Sequence, residues 1–168
     1  MIRVVVISGS PSASSRTLRL LRYFGASLAK GGIEASYIDV RELPAEDLLF
    51  ARASSAALAV PFDAIASAAG IVVGTPTYKA AYSGVLKTFL DVLPPRAFAG
   101  KVVAPLMTGG AAAHALALDY ALRPVLMALG SSVVIGGLFV LDQHIVTRDD
   151  GSTAIDPGAE PQLTECAR

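Results

Sequence analysis

The chain has 168 residues, within the ~100–200 expected of one domain. Charged residues make up 17% and apolar residues 53%, which excludes a disordered chain and leaves ample material for a core. Lys plus Arg number 14 and Asp plus Glu 14; with no basic excess to neutralise a row of phosphates, nucleic acid is excluded as a main partner.

The apolar run at residues 3–7 predicts a strand buried on both faces. A Ser-rich loop follows, then a helix in which Leu18, Leu21, Phe24 and Leu28 share a face, stopped by Gly31-Gly32. Residues 33–40 predict a second strand, with Ile33, Ala35, Tyr37 and Val40 inward. Residues 41–57 carry Pro44, several charges and no period, and are expected as loop. A short helix at 62–69 leads to a third strand at 70–75 and a loop at 76–82. Val85, Leu86, Phe89, Leu90 and Leu93 have helical spacing, ended by Pro94-Pro95. A fourth strand at 101–107, a turn at Thr108-Gly109-Gly110, a helix at 114–129 and a fifth strand at 133–140 complete the order. From about residue 149 the chain reads as a polar tail, with a turn at Asp149-Asp150-Gly151.

Strands alternating with helices predict an α/β fold with a parallel sheet covered on both faces, one domain over residues 1–168. The uncharged stretch 124–141 reaches the ~18-residue length of a membrane span. Gly130-Ser131-Ser132 interrupts it and β-branched Val133-Val134-Ile135 follows, the pattern of a helix end, a turn and a buried strand. The N-terminal apolar run is too short for a signal-peptide core, so a cytoplasmic location without membrane contact is expected. A lone cysteine, Cys166, makes neither an intrachain disulfide nor a thiolate zinc site, and His114 and His144 lack ligand spacing, so no metal is expected.

In an open parallel sheet, ligands bind at the loops leaving the carboxyl ends of the strands, beside the switch point. Three such loops here have unusual composition. The first holds Ser8, Ser10, Ser12, Ser14, Ser15 and Thr17, with Arg16 at the mouth of a helix. Hydroxyls, backbone N–H groups and the positive helix end suit a phosphate dianion; helix capping alone accounts for one or two of the hydroxyls. The loop lacks the Gly-Lys-Ser/Thr ending of a Walker loop and the three glycines of a dinucleotide fingerprint, and Asp39 at the end of the second strand is read as a strand-end residue. In the second loop, Tyr78 and Tyr82 are either a platform for a flat aromatic ligand or packing residues. The third, Thr108-Gly109-Gly110, permits close backbone approach. Together the three point to a flavin mononucleotide.

Gly-Ser-Pro followed by Ser15-Arg16-Thr17, the long run Thr75-Pro-Thr-Tyr-Lys-Ala-Ala-Tyr-Ser-Gly-Val-Leu-Lys87, and Thr108-Gly-Gly with His114 and Asp119-Tyr-Ala-Leu-Arg-Pro-Val-Leu126 closely resemble the NADPH-dependent FMN reductases. The resemblance runs from about residue 2 to 140 and is strongest to the reductase components of alkanesulfonate monooxygenase systems. It implies a flavodoxin-like three-layer sandwich with a five-stranded parallel sheet in the order 2-1-3-4-5. It also implies reduction of FMN by NADPH, or by NADH, with reduced FMN leaving to serve an FMNH2-dependent monooxygenase in sulfonate sulfur assimilation. Carried over by motif, Ser10, Ser15, Arg16 and Thr17 bind the FMN phosphate, Pro76, Thr77, Tyr78 and Lys79 border the flavin ring, and Thr108, Gly109 and Gly110 form its other edge. An arginine frequent after Gly-Ser-x in that family is Ser12 here, which shifts phosphate binding toward Arg16.

Hydride passes directly from nicotinamide to flavin in such chemistry, so no catalytic acid, base or nucleophile is expected among the side chains. Two rivals share the fold: a reductase of quinones, azo dyes or metal oxyanions that retains its FMN, and a flavodoxin-type electron carrier without NAD(P)H activity. Zero net charge speaks against the carrier, which docks through an acidic surface. Leu116, Leu118, Tyr120, Leu122, Val125, Leu126, Met127 and Leu129 make the 114–129 helix apolar nearly all round, which predicts a homodimer or a homotetramer of dimers. Pro124 should distort the turn before it, where Tyr120 lies; the resemblance implies a bulged helix there.

Overall fold

The computed structural model describes residues 2–159 together with Pro161 and Leu163. In chain order the elements are β1 (Ile2–Ser8), α1 (Arg16–Lys30), β2 (Ile33–Asp39), α2 (Ala45–Leu49), α3 (Ala59–Ser67), β3 (Gly70–Tyr78), β4 (Ala81–Tyr82) and α4 (Gly84–Val92). They continue with β5 (Val102–Gly109), α5 (Arg123–Ala128), β6 (Val133–Val134), β7 (Leu138–Leu141), β8 (Ile145–Thr147) and β9 (Thr153–Ile155). β1 pairs in parallel with β2 on one side and β3 on the other, β3 pairs with β5, and β5 carries β6 and β7 on its far edge, all parallel. With β6 and β7 counted as one interrupted strand and β4 as a hairpin arm, this is the expected 2-1-3-4-5 order.

The sheet separates two apolar layers. On one face α1 packs Leu20, Leu21, Phe24 and Leu28 against Val4, Val6, Val72, Ala104 and Leu106. On the other, α3, α4 and the segment leading into α5 pack Ile65, Leu86, Phe89, Leu122 and Leu126 against Val5, Ile7, Ile71, Val73, Val103 and Met107. Alternate residues of each central strand therefore serve opposite layers, which is why these strands read as continuous apolar runs.

Several elements depart from expectation, each for a local reason. Leu20, and not the half-buried Leu18, belongs to the inward face of α1, because the helix is phased by Thr17, Leu21, Phe24 and Leu28. In β2, Ile33 and Ala35 pack on the α1 layer as expected and Val40 is buried in the opposite layer with Ile38, whereas Tyr37 is 45% exposed. β2 is the edge strand, so only part of its length is covered. Residues 41–57 contain the five-residue α2, whose single buried anchor, Leu48, is too little for a periodic signal.

The expected 114–129 helix divides into a 3-10 turn (Ala112–Ala115), a π turn (Leu118–Leu122) and α5. Pro124 has no N–H to donate to the carbonyl four residues back, and the turn before it widens. Leu118, Leu122 and Leu126 point into the core, while Leu116, Tyr120 and Met127 are 64%, 80% and 58% exposed. The expected fifth strand is likewise split into β6 and β7. Between them lies Gly137, where a Cβ would fall 2.3 Å from Leu118 Cδ2, so a helix side chain fills the space that a strand side chain needs.

β8, just before the stretch that composition reads as a polar tail, pairs with β9 inside that stretch as an antiparallel hairpin. Its turn is closed by Arg148 N–H donating to Ser152 O at 2.9 Å, with Gly151 at φ +79°. Ile145 and Ile155 anchor the hairpin in the α1 layer beside Val140. Among the described residues no helix is long and apolar enough to cross a membrane.

Candidate active site

The end of β1, the middle of β3 and the start of α4 are tied together. Gly9 N–H donates to Gly74 O at 2.8 Å, joining the residue after β1 to β3. Ser83 caps α4 by accepting from Leu86 N–H at 3.0 Å, its hydroxyl donates to Gly9 O, and its own N–H donates to Thr75 Oγ1 at 2.9 Å. A Cβ at Gly9 would lie 2.4 Å from Leu86 Cβ, so only glycine lets the first loop run this close to α4.

The expected loop at 76–82 is instead a β-hairpin, with Thr77 opposite Tyr82 and Tyr78 opposite Ala81. Its two-residue turn, Lys79 and Ala80, has φ of +50° and +59°. Hairpin twist demands left-handed residues there, and neither is the Gly or Asn that adopts them freely. Such local strain collects at functional sites. Thr108 and Gly109, expected in a turn, continue β5 instead.

The first loop, this hairpin and the end of β5 enclose a cavity of about 440 Å³, within the range of small-molecule sites. Ser10, Ser15, Arg16, Thr17, Pro76, Thr77, Tyr78, Thr108, Gly109 and Gly110 all line it. Lys79, at the hairpin tip, is not in the lining. Ser12 and Ser14 are also there, together with two residues that sequence reasoning passed over, Arg19 and Asp142. Arg19 had a signal, since it stands three residues after Arg16 and so shares its side of a helix. Asp142 had none, because it arrives from the end of β7, far along the chain.

Ser15 Oγ accepts from Leu18 N–H at 3.0 Å, which caps α1 and aims the positive end of the helix at the cavity. Ser10 Oγ accepts from Ser12 N–H at 3.3 Å, folding the loop back on itself. Thr17 Oγ1 and Thr108 Oγ1 hydrogen-bond across the cavity floor at 2.7 Å. Thr77 Oγ1 is buried without a partner among the described residues. A buried hydroxyl left so costs free energy that a polar ligand edge recovers. Arg16 and Arg19 have no ion-pair partner among the described residues. Neither His114 nor His144 reaches the cavity. The donor set fits a phosphate at the hydroxyl loop and a flat polar ring between the hairpin and the end of β5, and it fits an organic mononucleotide better than side-chain catalysis.

Phosphate-type donors at the carboxyl edge of a 2-1-3-4-5 parallel sheet define a flavodoxin-like mononucleotide-binding protein. Residues 2–145 match the family described as NADPH-dependent FMN reductase. The FMN reductase (NADPH) of Escherichia coli (strain K12) is 46% identical over 145 residues, covering 86% of this chain and 76% of the relative. That of Pseudomonas putida (strain KT2440) is 46% identical over 158 residues, covering 94% and 76%. Among solved structures, the apo form of the NADH:FMN oxidoreductase EMOB superposes with a TM-score of 0.88 at 40% identity, covering 99% of this chain and 87% of that one. The chain belongs to the NADPH-dependent FMN reductase family, and is accordingly an oxidoreductase that uses NAD(P)H and FMN.

Proposed function

We propose that the cavity is the FMN site and that this single flavodoxin-like unit delivers reduced FMN to a separate monooxygenase, for release of sulfur from sulfonates. The phosphate lies among Ser10, Ser15, Arg16 and Thr17. The flavin ring lies between Pro76, Thr77 and Tyr78 on one side and Thr108, Gly109 and Gly110 on the other, with Lys79 at the hairpin tip outside the lining. The observation that carries this reading is the convergence of a hydroxyl loop, an uncompensated arginine and the orphaned Thr77 hydroxyl on one cavity. The monooxygenase and the sulfur role rest on the motif resemblance.

Bound FMN supplies the two-electron acceptor, and the protein supplies position and exclusion of water. The Thr77 hydroxyl would donate to a polar edge of the ring and Tyr78 would border it, with Thr108, Gly109 and Gly110 along its other edge. No side chain has to gain or lose a proton. Leu116, Tyr120 and Met127 are large apolar side chains exposed on the segment around the π turn, which a second subunit covers in a homodimer or homotetramer. The protein works in the cytoplasm, where NADPH is available.

The test is NADPH oxidation by flavin-stripped protein with FMN varied, under air. A rate that saturates in FMN is expected. No oxidation at any FMN level would leave an electron carrier on this fold and overturn the proposal.

A further inference from the structure

We infer that Arg19 is a second phosphate-binding cation of this site, and that the β8–β9 hairpin positions it through Thr147. The inference rests on the proposed placement of the FMN phosphate in the Ser10–Thr17 loop. A phosphate monoester carries about −1.5 to −2 charges near neutrality. Arg16 alone, set on the first turn of α1, matches only part of that charge. Arg19 stands one turn further along the same helix and lines the same cavity. No carboxylate among the described residues neutralises it. Asp142 also borders the cavity, so with Arg16 alone the charged side chains would cancel. Arg19 makes their balance positive.

A free arginine on a helix surface samples many rotamers, and ordering it on a ligand costs entropy. Here Arg19 Nη1 donates to Thr147 Oγ1 at 2.7 Å. Thr147 lies on β8, in a hairpin pinned to the core by Ile145 and Ile155. One donor of the guanidinium is thus held by an acceptor on the anchored hairpin, and its remaining N–H groups stay available to phosphate oxygens. Thr147 does not line the cavity and acts only through Arg19, as a positioning residue. The hairpin, whose second strand composition reads as tail, thereby becomes part of the cofactor site.

The test titrates flavin-stripped protein with FMN and with riboflavin, following quenching of flavin fluorescence. In Arg19→Gln, FMN should bind roughly five- to tenfold more weakly, with riboflavin unchanged. Thr147→Val, a near-isosteric change on an exposed strand position, should weaken FMN by roughly two- to fivefold. The double variant should lose no more than Arg19→Gln alone, since Thr147 has nothing left to position. Arg19→Lys should recover less than half of the effect, because a lysine loses the forked geometry. Equal loss for FMN and riboflavin, or additive losses in the double variant, would overturn the inference. So would unchanged FMN binding with a fall in the preference for NADPH over NADH, which would assign Arg19 to the nucleotide's extra phosphate. If the wild type binds FMN no better than riboflavin, the phosphate site itself is misplaced. If it discriminates and Arg16→Ala removes that discrimination while Arg19→Gln does not, only the role of Arg19 fails.

Discussion

Thr17 and Thr108 are 91 positions apart in sequence, yet their hydroxyl oxygens lie 2.7 Å from each other in the floor of the cavity. One lies in the first turn of the helix beside the proposed phosphate site, and the other is next to the end of the strand beside the proposed ring site. Their bond joins the two halves of the cofactor site within one buried contact. Thr108→Val leaves the Thr17 hydroxyl buried and unpaired, and should lower the unfolding free energy of the apo protein by about 1–3 kcal/mol in urea titration. Adding Thr17→Val removes the orphan, so the double variant should be more stable than the sum of the singles. Strict additivity would show that the bond contributes nothing.

Arg16 is exposed at the first position of α1, so its replacement leaves the core untouched. Arg16→Ala should weaken FMN by roughly ten- to hundredfold, the effect of one lost charge-assisted contact. Riboflavin affinity should hardly change. A matching loss for riboflavin would make Arg16 a residue of the fold.

Tyr78 is 49% exposed and follows Thr77 on the hairpin, a placement that favours ligand contact over core packing. Tyr78→Ala should cost ~0.5–1.5 kcal/mol of flavin binding beyond the lost area. The thermal midpoint of the apo protein should stay within a degree or two. A large fall in apo stability with FMN affinity intact would reverse that assignment.

The Lys79-Ala80 turn holds two side chains in the left-handed region. Replacing the pair by Asn-Gly, the preferred occupants of such a turn, should raise apo stability by about 1 kcal/mol. Differential scanning calorimetry of the apo protein reads this directly, and an unchanged or lowered midpoint would show that the turn carries no strain.

Tyr120 projects from the π turn and is 80% exposed, whereas Leu122, two residues on, is wholly buried. Tyr120→Glu should therefore shift sedimentation toward a smaller species without unfolding the subunit, while Leu122→Glu should unfold it. A wild type that sediments as a monomer at micromolar concentration would dispose of the proposed subunit contact.

The central sheet was legible because β1, β3 and β5 are buried on both faces and so carry unbroken apolar runs. The strand order came with the motif resemblance, and in that order the loops after β1, β3 and β5 meet at one edge, where Ser10, Thr77 and Thr108 line one cavity. What escaped lies where tertiary contacts override local pattern. Tyr37 looks inward by alternation, but β2 is an edge. Residues 133–140 look like one strand, but Leu118 occupies the gap. β8 and β9 are three residues each, too short to show a period, and their two isoleucines matter only because α1 is there to receive them. Arg19 reads as a surface charge until Thr147 gives it a direction.

The π turn and the glycine gap beside it constrain how this chain is able to evolve. A turn with one residue too many offsets the helix before it by about 100° from an uninterrupted α-helical path. That offset sets Leu118 against Gly137. Deleting one residue from the turn would swing Leu118 away and leave a hollow under the sheet. Giving Gly137 a side chain while the bulge persists would drive that side chain into Leu118. A side chain at Gly137 would also meet Pro105 Cγ at 2.9 Å, so the position is closed to any Cβ from two sides, by the helix and by the neighbouring strand.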